Sequence, residues 1–140
     1  MPSAPLARVA AFLALALAAG CAEAPERRPR NTQTVRLSAE LAAPAVEMGL
    51  VSEIRVVLPG PQAGSDYIWE IASNDNTVLE QEGPLAVVPA SGAPGSPATT
   101  VVSFYSLKPG RSVLRFFLVR PSEAEATPAA QCRVTVRVSE

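Results

Sequence analysis

Two cysteines, one lysine and thirteen carboxylates are the residues of this 140-residue chain with covalent or acid–base chemistry to offer, and no histidine accompanies them. Without histidine the usual general base, the commonest metal ligand and the Ser–His or Cys–His nucleophile pair are all missing. The lone lysine, Lys108, sits in a Leu-Lys-Pro-Gly turn, and a Ser–Lys dyad would require that turn to be buried. The chain is therefore read as a non-enzyme with no catalytic residue, no metal site and no cofactor. The two cysteines have different surroundings. Cys21 closes an apolar run, whereas Cys132 falls on one strand face with Val134, Val136 and Val138. A small buried hydrophobe is the expected role of Cys132, with a reactive or intermolecular thiol as the alternative.

The segment before Cys21 has the parts of a secretory leader. A short head containing Arg8 precedes Val9 to Gly20, an uncharged apolar run of twelve residues that ends in small side chains. Crossing a bilayer takes about 20 residues, so the run reads as a removable leader and not a permanent span. Leu17-Ala18-Ala19-Gly20-Cys21 resembles the bacterial lipobox, in which small residues precede a cysteine that is acylated and becomes the first residue of the mature protein. Ala18 stands where that motif usually has leucine. The resemblance implies a lipoprotein signal peptide over residues 1–20, lipid attachment at Cys21 and a membrane contact through that anchor. An ordinary signal peptide with an incidental cysteine is the alternative. Ala22, in a place where aspartate would mark inner-membrane retention, implies a cell-envelope protein of the outer membrane, facing the periplasm or the cell surface.

Removing the leader takes Arg8 and no acid, leaving thirteen acids against eleven bases. That balance offers no basic field for nucleic acid or anionic lipid, and neither is an expected partner by charge. The remaining length suits one domain, and a monomer is expected. Residues 21–33, with Arg27, Arg28 and Arg30 among prolines and no large apolar side chain, read as a solvated tether. The domain then occupies residues 34–140.

Within it the apolar residues alternate with period two. Val35 and Leu37 form one such set; Ile54, Val56 and Leu58 a second; Tyr67, Trp69 and Ile71 a third. Residues 99–107 are apolar on both faces, as a central strand would be. Leu114, Phe116 and Leu118 follow, and Cys132 to Val138 close the pattern. Short alternating runs are the signature of half-buried strands. Leu58-Pro59-Gly60-Pro61, Ser73-Asn74-Asp75-Asn76 and Pro109-Gly110 supply the turns. Residues 83–98, rich in proline and glycine, read as a long loop with at most a short strand at 85–88. Six or seven short strands without a helix predict an all-β sandwich.

Four landmarks occur in a recognisable order. Leu58 to Trp69 is similar to the Asn-Pro-Thr-Thr-Gly-Tyr-x-Trp loop of the chagasin-like inhibitors of cysteine peptidases. Phe104 to Phe116 resembles their Phe-x-x-Leu-x-x-Gly-x-x-x-Leu-x-Phe stretch, Arg120-Pro121 their Arg-Pro-aromatic loop, and the last valines their closing strand. The resemblance runs from about Ala45 to Val138. It implies an immunoglobulin-like sandwich whose loops at one end, here Gly60–Asp66, Ser91–Ala98 and Arg120–Glu125, block a papain-like cleft of a cysteine peptidase. Pro61, Gly64, Arg120 and Pro121 are the inhibitory-loop residues it implies. Gln62 and Ala63 stand in place of the paired threonines, and Ser122 in place of the aromatic. The same residues admit a second reading, a lipid-tethered immunoglobulin-like binding or structural module of the envelope.

Overall fold

A computed structural model describes residues 29–140 apart from Leu41, Ala63, Ser91, Gly92, Pro94, Ser96 and Ala124. The leader, Cys21 and nearly all of the tether expected from the sequence lie outside the described residues. Eight strands follow in order: β1 Asn31–Arg36, β2 Ala45–Gly49, β3 Ser52–Pro59, β4 Ile68–Ser73, β5 Leu79–Pro89, β6 Ala98–Ser106, β7 Gly110–Val119 and β8 Ala130–Ser139. They make two four-stranded sheets in the orders β1-β3-β6-β5 and β2-β8-β7-β4. This is the all-β sandwich expected from the alternation. Neighbours are antiparallel except β1 with β3 and β2 with β8, which run parallel.

Alternation decides which side chains meet between the sheets. Ile54, Val56 and Leu58 of β3 and Phe104 of β6 face Leu114 and Phe116 of β7 and Val134 and Val136 of β8, all fully buried. Phe104 and Phe116 cross edge-to-face, ring centres 6.3 Å apart, a geometry that adds about 1 kcal/mol to their burial. The buried apolar cluster runs from Leu37 to Val138 and is assembled from both sheets, so the sandwich closes its own core. Strand β6 is apolar or small on both faces because it lies inside its sheet, between β3 and β5. Cys132 joins this core at 3% exposure; burial pushes its thiol pKa up, the direction that disfavours the nucleophilic thiolate.

Four local features depart from the alternation reading. First, residues 83–89 are not loop: β5 is eleven residues long. Its ladder with β6 shifts register between Glu82 and Ala86, which accommodates Gly83 and Pro84. A bulge on an edge strand tolerates proline, because no outer neighbour needs the missing N–H. Second, β2 had no legible pattern in its five residues, and it exists by pairing with β8. Third, β1 begins at Asn31, within the stretch read as tether, because its backbone pairs with β3 from Ser52 onward. Fourth, Tyr67 precedes β4 and is only half-buried, so it does not share the core face of Trp69.

Trp69 is the largest side chain in the core and is 5% exposed. Trp69→Ala should lower unfolding free energy by about 3–5 kcal/mol. Equilibrium denaturation of the variant against the parent checks this; a loss under about 1 kcal/mol would contradict the packing described.

Candidate functional site

Three connections leave the sandwich at one end. There β3 finishes at Pro59 opposite Thr99, β5 finishes at Pro89 opposite Ala98, and β4 begins at Ile68 opposite Val119. The connections are residues 60–67, 90–97 and 120–129, so the strands that flank the stretches Gly60–Asp66, Ser91–Ala98 and Arg120–Glu125 give way to them at the same end of the sandwich. The first is fixed at its root from several sides. The Gly60 amide donates to the Ala98 carbonyl at 2.8 Å, and the Thr100 hydroxyl donates to the Gly60 carbonyl at 2.9 Å. The Trp69 indole N–H donates to the Pro59 carbonyl at 2.9 Å, joining one sheet to the other where the loop departs.

Beyond the root, the Gly60–Pro61 peptide is cis and Gly64 has a φ of 82°. That φ lies in the left-handed region open to glycine, and the Ser65 amide closes a turn across it onto the Gln62 carbonyl at 3.0 Å. The tip is exposed at Gly64, while Pro61 is half-buried at the base. The Ser65 hydroxyl accepts from the Tyr67 amide at 3.1 Å, which sets the chain direction into β4.

Arg120 joins this loop to the one after β7. Its guanidinium carbon lies 4.6 Å from the centre of the Tyr67 ring, within cation–π range. Its Nη1 donates to Glu123 Oε1 at 3.2 Å, and the Glu123 amide donates back to the Arg120 carbonyl at 2.9 Å. The Glu123 hydrogen bond first, then Tyr67 and the charges of Glu123 and Asp66, raises the Arg120 pKa above its usual value, so the group is charged at any working pH. Its Nε is buried without a hydrogen-bond acceptor among the described residues. A shallow recess of about 120 Å³ beside Arg120 is lined by Ile68, Glu70, Val119 and Pro121.

The chain from 49 to 138 matches the model of the chagasin family peptidase inhibitors, I42. The chain belongs to the chagasin family. Membership places it with inhibitors and not with enzymes. Solved structures share the fold at low identity. The cysteine protease inhibitor EhICP2 from Entamoeba histolytica aligns with a TM-score of 0.61 and 14% identity, over 80% of this chain and all of that one. Amebosin aligns at 0.55 and 17%, with the same coverage. PbICP-C, solved in complex with falcipain-2, aligns at 0.54 and 13%, over 76% of this chain and 99% of that one. Among curated protein sequences, none matches this one.

Of the loop residues implied by the family resemblance, Arg120 and the Gly60–Asp66 loop are brought together, with Pro121 opening an exposed 3-10 turn that includes Ser122. Much of Ser91–Ala98 lies outside the described residues, but its two ends are held by the Ala90 amide on the Pro97 carbonyl at 2.8 Å. Sequence reasoning missed Tyr67 as the partner of Arg120. No local pattern connects residues so far apart in the chain. The spacing of Arg120 and Glu123 was readable as a pair, being three residues apart. It also follows that Arg120 is not a free loop charge. A double-mutant cycle of Arg120→Ala and Tyr67→Ala should return a favourable coupling in unfolding free energy, the mark of a cation–π contact. Strict additivity would mean that the two loops are not joined by this contact.

Proposed function

We propose that the chain is a lipid-anchored inhibitor of papain-like cysteine peptidases that acts through the loops Gly60–Asp66, Ser91–Ala98 and Arg120–Glu125. Family membership supports the class of activity. The observation that carries the choice of surface is the Arg120–Tyr67 contact, which unites loops of different origin into one edge. The relative PbICP-C was solved with falcipain-2 on it, which supports a peptidase as the partner here. An inhibitor of this kind works by filling a cleft with backbone that is already in its bound shape. The pinned root at Gly60, the turn at Gly64 and the prolines 61 and 121 reduce the ordering entropy lost on docking. The recess beside Arg120 would take an apolar side chain of the target. Lipid on Cys21 would hold this edge at the envelope, at the outer membrane by the reading of Ala22.

One feature favours the second reading, an envelope module without a peptidase target. Ser122, where the family carries an aromatic anchor, is exposed on its turn. A buried aromatic anchor is worth about 2 kcal/mol or more, roughly thirtyfold in affinity. Titration of papain-like peptidases with the protein should therefore give measurable but weak inhibition, tightened at least tenfold by Ser122→Trp. No inhibition at micromolar concentration by either form would leave the module reading.

The anchor is tested separately. Cys21→Ser removes the acyl acceptor, so the variant should lack the mass of the acyl chains and leave the detergent phase. An unchanged mature mass together with an undiminished membrane fraction would exclude Cys21 as the attachment point.

A further inference from the structure

Outside the loop edge, the sheet β2-β8-β7-β4 carries a charge arrangement that inhibition does not use. On β7 Ser112, Leu114 and Phe116 point inward, so Arg111, Val113, Arg115 and Phe117 point outward. On β8 Cys132, Val134 and Val136 point inward, so Arg133, Thr135 and Arg137 point outward. The register sets Arg111 directly opposite Arg137 and Arg115 directly opposite Arg133. Like charges in that relation destabilise a sheet, and the fold keeps two such pairs on one face. All four side chains are exposed. Among the described residues only Arg137 meets an acid, Glu47 at 4.0 Å, with 67% and 81% of the two side chains in solvent. The other outward acid of this sheet is Glu70, on edge strand β4.

The two arginine pairs stand about 13 Å apart, four residues at roughly 3.3 Å each. Apolar side chains lie among them: Val113, between the two pairs, and Phe117, beside the second, are half-exposed. Beside the second pair a groove of about 240 Å³ opens between Arg115, Arg133, Gln131 and Ser38. Guanidinium forks suit phosphate oxygens. A flat face that mixes arginines with half-exposed apolar residues suits the boundary between headgroups and acyl chains.

We propose that the outer face of β7 and β8 docks on an anionic phospholipid surface, with Arg111, Arg115, Arg133 and Arg137 on the lipid phosphates and Val113 and Phe117 at the acyl boundary. The chain between Cys21 and the start of β1 at Asn31 reaches about 35 Å when extended. With Cys21 lipidated, that length keeps the face within range of the bilayer, where effective concentration makes a weak contact count. The whole-chain charge balance argues against an acidic partner only because it does not report where the charges sit. Docked in this way, the strands lie along the membrane and the loop edge remains free.

The test uses residues 29–140, which close their own core and lack both the anchor and most of the tether arginines. At low salt this domain should co-sediment with phosphatidylglycerol vesicles and not with phosphatidylcholine vesicles. Arg115→Gln/Arg133→Gln should weaken that binding about 25-fold, since each basic group near an anionic surface is worth about fivefold. Its melting temperature should be equal or higher, because a repelling pair is gone. Arg36→Gln/Arg55→Gln, an equal charge change on the other sheet, should change binding less than about threefold. Absence of binding to the anionic vesicles overturns the proposal, as does an equal loss in both double variants. Retention on immobilised polyglutamate without vesicle binding also overturns it, in favour of an acidic protein partner.

Discussion

The indole of Trp69 has to solve two problems at once, and the loop end of the molecule is arranged around its solution. Its ring fills the core between the sheets, and its N–H, buried with the ring, needs an acceptor. The carbonyl of Pro59, at the last residue of β3, provides it at 2.9 Å. That bond ties β4 of one sheet to β3 of the other at the point where the chain leaves the sandwich. Gly60 then exchanges bonds with Ala98 and Thr100 of β6. The loop therefore starts from a fixed root, and its short turn through Gly64 follows from there.

The opposite end has its own buried hub of polar groups. The Ser106 hydroxyl accepts from the Ser52 amide and donates toward the Gly49 carbonyl, each at 2.9 Å. It holds β6 against the crossover from β2 to β3, where Val51 takes a φ of 56°. A β-branched residue in that region is strained, and the surrounding bonds hold it there. Nearby, Gly110 is packed so closely that an added Cβ would come within 2.9 Å of a Val78 methyl. Here the glycine answers a packing need, and the Pro109-Gly110 turn visible in the sequence is only part of the reason for it.

Residues that alternate over long runs were legible in the sequence, because burial enforces the pattern. The inward apolar residues of β3, β7 and β8 were readable in this way, whereas β6, apolar on both faces, was readable as a central strand but not by which side faces inward. Strands made by pairing were not. β2 is five residues with one buried side chain, Met48, and nothing in Ala-Val-Glu-Met-Gly announces a partner. β5 is exposed along most of its length, so its residues obey no apolar rhythm, and its glycine and proline look like a loop until the bulge is seen. The same distinction applies at the loop edge. The turn at Gly64 and the pair Arg120–Glu123 are local and could be read from spacing. The contact of Arg120 with Tyr67 depends on two sheets meeting, and only the assembled fold produces it.

That separation between what the core demands and what it leaves free also explains where the chain departs from its family. Trp69, Phe104, Gly110, Leu114 and Phe116 retain the family's landmarks, and each is buried or tightly packed. Gln62 and Ser122, which depart, are exposed, where most substitutions cost little stability. Substitution at such positions leaves the scaffold undisturbed. The outward arginines of β7 and β8 are the reverse case. They sit on solvent-facing positions where neutral side chains would make a more stable sheet. Stability of the sandwich does not account for their arrangement.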